Sequence, residues 1–142
     1  MKLSLSPRQG AGPIRFGLPR GEVRAVVQSP SEPFEKAEGS PLSDAFFDGR
    51  LKVHYDASDK ACCVEIASGG PVDAVYEGMR LLASPAPVVV AHMAKRASWD
   101  KQDPELPACY VFPALDLALR RDDARHPTFT SVILGVEGYF ER

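Results

Sequence analysis

Leu51-Lys52-Val53-His54-Tyr55-Asp56 and Ala61-Cys62-Cys63-Val64-Glu65-Ile66, joined by the polar link Ala57-Ser58-Asp59-Lys60, alternate apolar and polar residues with period two. That pattern belongs to a half-buried strand and not to a helix, and two such runs across a short polar link predict a β-hairpin. If residue 56 faces residue 61, Leu51 stands opposite Ile66, Val53 opposite Val64 and Tyr55 opposite Cys62, which makes one face apolar throughout. The same alignment sets Lys52 against Glu65 and His54 against Cys63 on the other face. A slip of one residue would lose both the apolar face and the charge pair, so the register is well specified.

Working outward, Ser68-Gly69-Gly70-Pro71 reads as a turn, after which Val72, Ala74 and Tyr76 alternate with Asp73 and Glu77 and predict a third strand continuing an antiparallel meander. Gly12–Gly17 reads as a strand. Pro19 suits the first turn of a short helix from about 19 to 28, with Val23, Val26 and Val27 as its buried stripe. Ser84-Pro85 marks the start of a second helix, about 85 to 97, with Ala86, Val90, Met93 and Ala97 along one side and His92, Lys95 and Arg96 on the other. Residues 108–112, 115–120 and 128–140 alternate again and predict further strands. The expected fold is therefore α+β, an antiparallel meander with two short helices packed on one face.

The chain has 142 residues, 44% hydrophobic and 25% charged, which suits one domain spanning 1–142 and excludes disorder, coiled coil and collagen. Seventeen Lys and Arg against nineteen Asp and Glu leave a net charge of −2, so nucleic acid is not an expected partner. The opening residues Met1–Pro7 contain no apolar run of signal-peptide length, and no segment is apolar over the roughly 20 residues of a membrane span. Cys62, Cys63 and Cys109 are odd in number, which favours reduced thiols and a cytoplasmic location. Charge is unevenly placed: residues 1–30 carry five bases and Glu22, whereas residues 31–60 carry seven acids and four bases. The acids Glu32, Glu35, Glu38, Asp44 and Asp48 fall among Ser, Pro and Gly, which predicts a long exposed connection at about 29–45.

Few residues carry a chemical signal. His54 and Cys63, cross-strand neighbours in the hairpin, place a base and a thiol about 5 Å apart at Cβ, but on an outward face with nothing to lower the thiol pKa. No CxxC or HxxxH spacing supplies four zinc donors, and the glycines at 10, 12 and 17 match no phosphate-binding loop, so no metal and no cofactor are expected. Catalytic residues are likewise not assigned. Aromatic placement is more informative. Trp99 sits in a polar connection, where it either anchors a partner or folds back over a helix end, and Phe46 and Phe47 are adjacent between Asp44 and Asp48, so in an extended chain one of them faces outward.

Gly12-Pro13-Ile14-Arg15-Phe16-Gly17, then Glu22-Val23, an acidic connection, Leu51–Asp56, Val64-Glu65-Ile66, and Gly78 before Leu81-Leu82 follow one another in an order that resembles a group of small bacterial proteins, among them antitoxin-like immunity proteins. More coarsely it is similar to the beta-lactamase-inhibitor-like fold. The resemblance covers about residues 10 to 83 and rests on fold-defining positions, so it implies an architecture and a class of partner and assigns no site residue.

These readings lead to a non-catalytic protein-binding module, plausibly an immunity-type inhibitor of a bacterial toxin or enzyme. Glu35, Glu38, Asp44, Phe46, Phe47, Asp48 and Trp99 are the expected contacts to a partner with a basic surface. A small enzyme or ligand-binding domain with a pocket near His54 and Cys63 is the alternative, and a homodimer through a sheet face or edge is the third.

Overall fold

The computed structural model describes residues 1–140. In chain order the elements are β1 (Lys2–Ser6), β2 (Gly10–Ala11), β3 (Ile14–Arg15), α1 (Arg20–Val27), β4 (Ser31–Glu35), β5 (Leu42–Phe46), β6 (Leu51–Tyr55), β7 (Ala61–Ala67), β8 (Asp73–Tyr76), β9 (Met79–Arg80), α2 (Ala86–Ala94), β10 (Cys109–Phe112), a 3-10 turn (Pro113–Leu115), β11 (Leu117–Arg120) and β12 (Ser131–Gly135). They build an α+β fold in which a seven-stranded antiparallel sheet, ordered β10-β11-β12-β7-β6-β5-β4, faces a smaller sheet ordered β3-β2-β1-β8-β9.

The β6–β7 hairpin has the register that its alternation predicts: Leu51 faces Ile66, Lys52 faces Glu65, Val53 faces Val64 and His54 faces Cys63. The alignment then shifts by one, so that Tyr55 faces Ala61 rather than Cys62. The link explains the shift. The Asp56 carboxylate accepts from the Ser58 and Lys60 amides at 2.8 and 3.1 Å, closing a turn that absorbs one more residue than a plain four-residue loop.

Leu51, Val53, Val64 and Ile66 join Leu117, Leu119, Val132 and Leu134 on the inner face of the large sheet, all at most 1% exposed. Onto this face pack Leu3 and Ile14 of the small sheet, Val23 and Val27 of α1, and Ala86, Val89 and Met93 of α2. Burying each such aliphatic side chain contributes about 1.5–3 kcal/mol relative to leaving it in water. Both helices thus cover the same face, as expected, but they share it with the small sheet.

That smaller sheet departs from the expected meander. The strand at 73–76 does not continue from β7; it pairs in parallel with β1, Leu3 facing Ala74, a pairing between distant segments that local alternation does not specify. Gly12–Gly17 is not one strand but part of a tight β2–β3 ribbon. The third correction concerns residues 29–45. They are not a loose acidic connection, because Ser31–Glu35 and Leu42–Phe46 form the outermost hairpin of the large sheet, with Glu32 facing Ala45 and Phe34 facing Ser43. An edge strand tolerates the proline and carboxylates that disqualify a central one, since one of its sides needs no partner. Among the described residues no helix is long and apolar enough to cross a membrane.

Candidate functional site

Three cross-strand rows organise the outer face of the large sheet. The first runs Phe34, Ser43, His54, Cys63, Gly135 from β4 to β12. The second runs Glu32, Ala45, Lys52, Glu65, Ile133, Ala118, Val111 across all seven strands. In the third, Arg120 faces Ser131 and Ser131 faces Ala67.

The first row was expected to be wet, and it is buried. His54 is 4% exposed and Cys63 is fully covered. His54 Nδ1 lies 2.7 Å from Ser43 Oγ and Nε2 lies 2.9 Å from Glu65 Oε2, and the Phe34 ring packs edge-on against the imidazole. An ionised carboxylate can only accept, so Nε2 carries the proton shared with Glu65, and in the neutral ring Nδ1 accepts from the Ser43 hydroxyl. The hydrogen bond from His54 holds the Glu65 carboxyl below the usual carboxylate range. Serine, imidazole and carboxylate in sequence have the order of a nucleophilic triad. Ser43, however, is 1% exposed, and a hydroxyl sealed in this way offers no approach to a substrate carbonyl. The three groups instead tie β5, β6 and β7 together across a covered face.

Cys63 is covered by the C-terminal turn. Tyr139 lies across Gly135, where a Cβ would collide with its ring, and its hydroxyl accepts from Lys36 Nζ at 2.8 Å. The turn is held by Asp116, fully buried, which accepts from the Gly138 and Phe140 amides at 3.0 and 3.2 Å and from Arg8 Nε at 2.8 Å. Burial pushes the Cys63 thiol up to about 12, the opposite of what an attacking thiolate needs. The hollow expected near His54 and Cys63 is therefore filled by this chain's own Phe34 and Tyr139.

On the inner face, Asp44 is fully buried beneath α1. Arg24 grips it with two parallel bonds, Nη2 to Oδ1 at 2.8 Å and Nε to Oδ2 at 3.0 Å, and the Tyr55 hydroxyl donates to Oδ2 at 2.8 Å. Arg20 lies 3.5 Å from the same carboxylate, bonds Asp59, and stacks 4.1 Å above the Tyr55 ring. The hydrogen bonds to Asp44 and Asp59 push both guanidinium groups further up from their already high values. Burial, reinforced by Asp44, does the same to the Tyr55 phenol.

The expected contact residues consequently separate. Asp44 and Phe46, both fully buried, are removed from the partner surface: one is the anchor of α1, the other a core residue. Glu35, Glu38 and Asp48 are exposed and Phe47 is half-buried. Phe47 and Asp48 line a hollow of about 220 Å³ with Glu32, Ala45 and Gly49, beside the open edge of β4. Glu32 belongs to the acidic stretch of the sequence, and only the strand pairing shows that it shares a hollow with Phe47. Trp99 stands at the opposite edge of the sheet, edge-on to Tyr110 at 5.7 Å and Phe112 at 6.4 Å, with Lys101 Nζ 3.9 Å above its ring. It folds back beside α2, where it lines an apolar hollow of about 370 Å³ with Ala86, Pro87, Val90 and Tyr110. Among the described residues no three His, Cys, Asp or Glu side chains gather as metal ligands.

Comparison of the chain with family models, with curated proteins and with solved structures returns no match.

Proposed function

We propose that the chain is a non-catalytic protein-binding module that covers a basic site on its partner with the acidic edge of the large sheet. The observation that carries this reading is the hollow at the β4 edge, where the half-exposed Phe47 ring stands beside the Glu32 and Asp48 carboxylates. An aromatic face and two carboxylates around a hollow of about 220 Å³ suit the stem and cationic head of a partner's lysine or arginine. Glu35 and Glu38 continue the same sign along the hairpin, which would steer a basic partner toward the hollow. An immunity-type inhibitor of a bacterial toxin or enzyme is the narrower form of this proposal, supported by the sequence resemblance over residues 10 to 83. Trp99 lies outside the proposed surface.

The test is affinity capture from lysate in parallel with the intact chain and a Glu32→Lys, Glu35→Lys, Asp48→Lys variant. The reading expects a partner retained by the first and lost by the second, whose association at low salt slows at least tenfold on charge reversal. A specific partner that associates equally fast with both proteins overturns it.

A further inference from the structure

The third row of the outer face carries a second hollow of opposite character. Arg120 on β11 faces Ser131 on β12, Ser131 faces Ala67 on β7, and the Ala67 amide donates to the Arg50 carbonyl at 2.9 Å. Two arginines therefore stand about 14 Å apart, three strand spacings of about 4.8 Å, and only Ser131 and Ala67 lie between them. Lys52 enters from the neighbouring row, Asp122 also lines the trough, and the open hollow measures about 420 Å³. Small-ligand sites span about 300–1,000 Å³.

The cations are placed by the fold. The Arg50 side chain lies across Gly70, where a Cβ would come within 2.5 Å of its Cγ, and its Nη1 donates to the Ser68 carbonyl at 2.8 Å. Only glycine at 70 leaves room for that path. A guanidinium has five N–H groups, so most of those on Arg50 remain available. Arg50, Lys52 and Arg120 form no ion pair among the described residues, although Lys52 Nζ lies 5.6 Å over the Phe34 ring and Arg120 contacts the Cys109 thiol; Glu65, the acid on the floor, is already engaged by His54.

We infer that this trough binds a small phosphomonoester bearing hydroxyl groups, with the phosphoryl group among Arg50, Lys52 and Arg120 and the hydroxyls toward Asp122 and Ser131. Three cationic side chains match a group that carries close to two negative charges at neutral pH and three acceptor oxygens. A carboxylate would offer one charge and two oxygens. Asp122, which forms no ion pair among the described residues, is an acceptor that repels a second anionic group but takes a hydroxyl proton. This inference does not rest on the reading of the acidic edge, although the two hollows adjoin at Gly49.

Titration of the ¹⁵N-labelled chain with glycerol 3-phosphate, inorganic phosphate and glycerol tests the inference. Saturable shifts are expected at the amides of Arg50, Ala67, Ser68, Thr130 and Ser131 with glycerol 3-phosphate, weaker binding of inorganic phosphate, and none of glycerol. Arg50→Gln, Arg120→Gln and Gly70→Ala should each weaken glycerol 3-phosphate at least tenfold, and the unshifted remainder of each spectrum reports the intact fold. Shifts that fail to saturate or that spread over the other basic side chains overturn the site, as does binding by Arg50→Gln or Arg120→Gln as tight as by the unaltered chain. Inorganic phosphate binding as tightly as glycerol 3-phosphate overturns the assignment of the hydroxyls to Asp122 and Ser131.

Discussion

Arg24 and Asp44 meet fork to fork, Nη2 to Oδ1 at 2.8 Å and Nε to Oδ2 at 3.0 Å, with the carboxylate fully buried and the guanidinium side chain 42% exposed. The pair joins helix α1 to strand β5, and the asymmetry of its exposure decides what each deletion does. Asp44→Ala removes the one group that the Tyr55 hydroxyl and both arginines share, and should cost roughly 3–5 kcal/mol, the range for breaking a buried ion pair. Arg24→Ala leaves Asp44 with Tyr55 and Arg20 and should cost less. Urea denaturation of the two variants measures the order; equal losses would contradict the shared-anchor account.

The thiols should differ under native conditions. Cys63 and Cys109 are buried and burial raises both, whereas Cys62 is half-buried. Iodoacetamide at pH 7 should therefore label Cys62 first and Cys63 only on unfolding. Gly135→Ala should displace Tyr139 and make Cys63 reactive, with a destabilisation of about 1–3 kcal/mol from overpacking. Peptide mass mapping after a timed pulse of reagent reads both effects.

Glu65 gives a pH dependence whose sign is fixed. Its carboxyl is held below the ordinary value of 4.5 by the hydrogen bond from His54, so its contribution is fully present above that value and is lost as pH falls through the lower folded-state value. Replacing it by Gln should flatten the acid limb of stability below about pH 4.5 while leaving the neutral plateau lower. Thermal melts across about pH 3–6, around the usual carboxylate range, compare the two proteins.

Trp99 is a cover for the helix and strand beside it. Trp99→Ala should destabilise by about 2–4 kcal/mol, somewhat below the loss for a fully buried aromatic, and leave a partner captured by the acidic edge bound as before. A large loss of that partner's affinity with unchanged stability would return Trp99 to the contact surface.

What the sequence made legible was local. The alternation in Leu51–Ile66 and the penalty for slipping it set the register through His54 and Cys63, and Pro19 and Pro85 located both helix starts within a residue or two. Pairings between distant segments were not legible: alternation marks a segment as a strand, as in Lys2–Ser6 and Asp73–Tyr76, but does not name the strand it pairs with. Which face is wet was also hidden. The polar residues His54, Ser43 and Glu65 satisfy one another across three strands, so the outward side of the hairpin could be sealed without becoming apolar. The acidic stretch misled for a related reason: its Ser, Pro and Glu composition describes an exposed loop and an exposed edge strand equally well. Phe46 and Phe47 were rightly divided between inside and outside, though adjacency alone did not say which was which.

The placement of Pro33 in the outermost strand, between Glu32 and Glu35, bears on how the chain tolerates crowding with itself. Two copies approaching rim to rim would oppose glutamate to glutamate and find, at the midpoint, a nitrogen with no proton to share. A border built in this way discourages its own twin, and fibrous stacking is resisted at the place where a bare ribbon would most readily begin it.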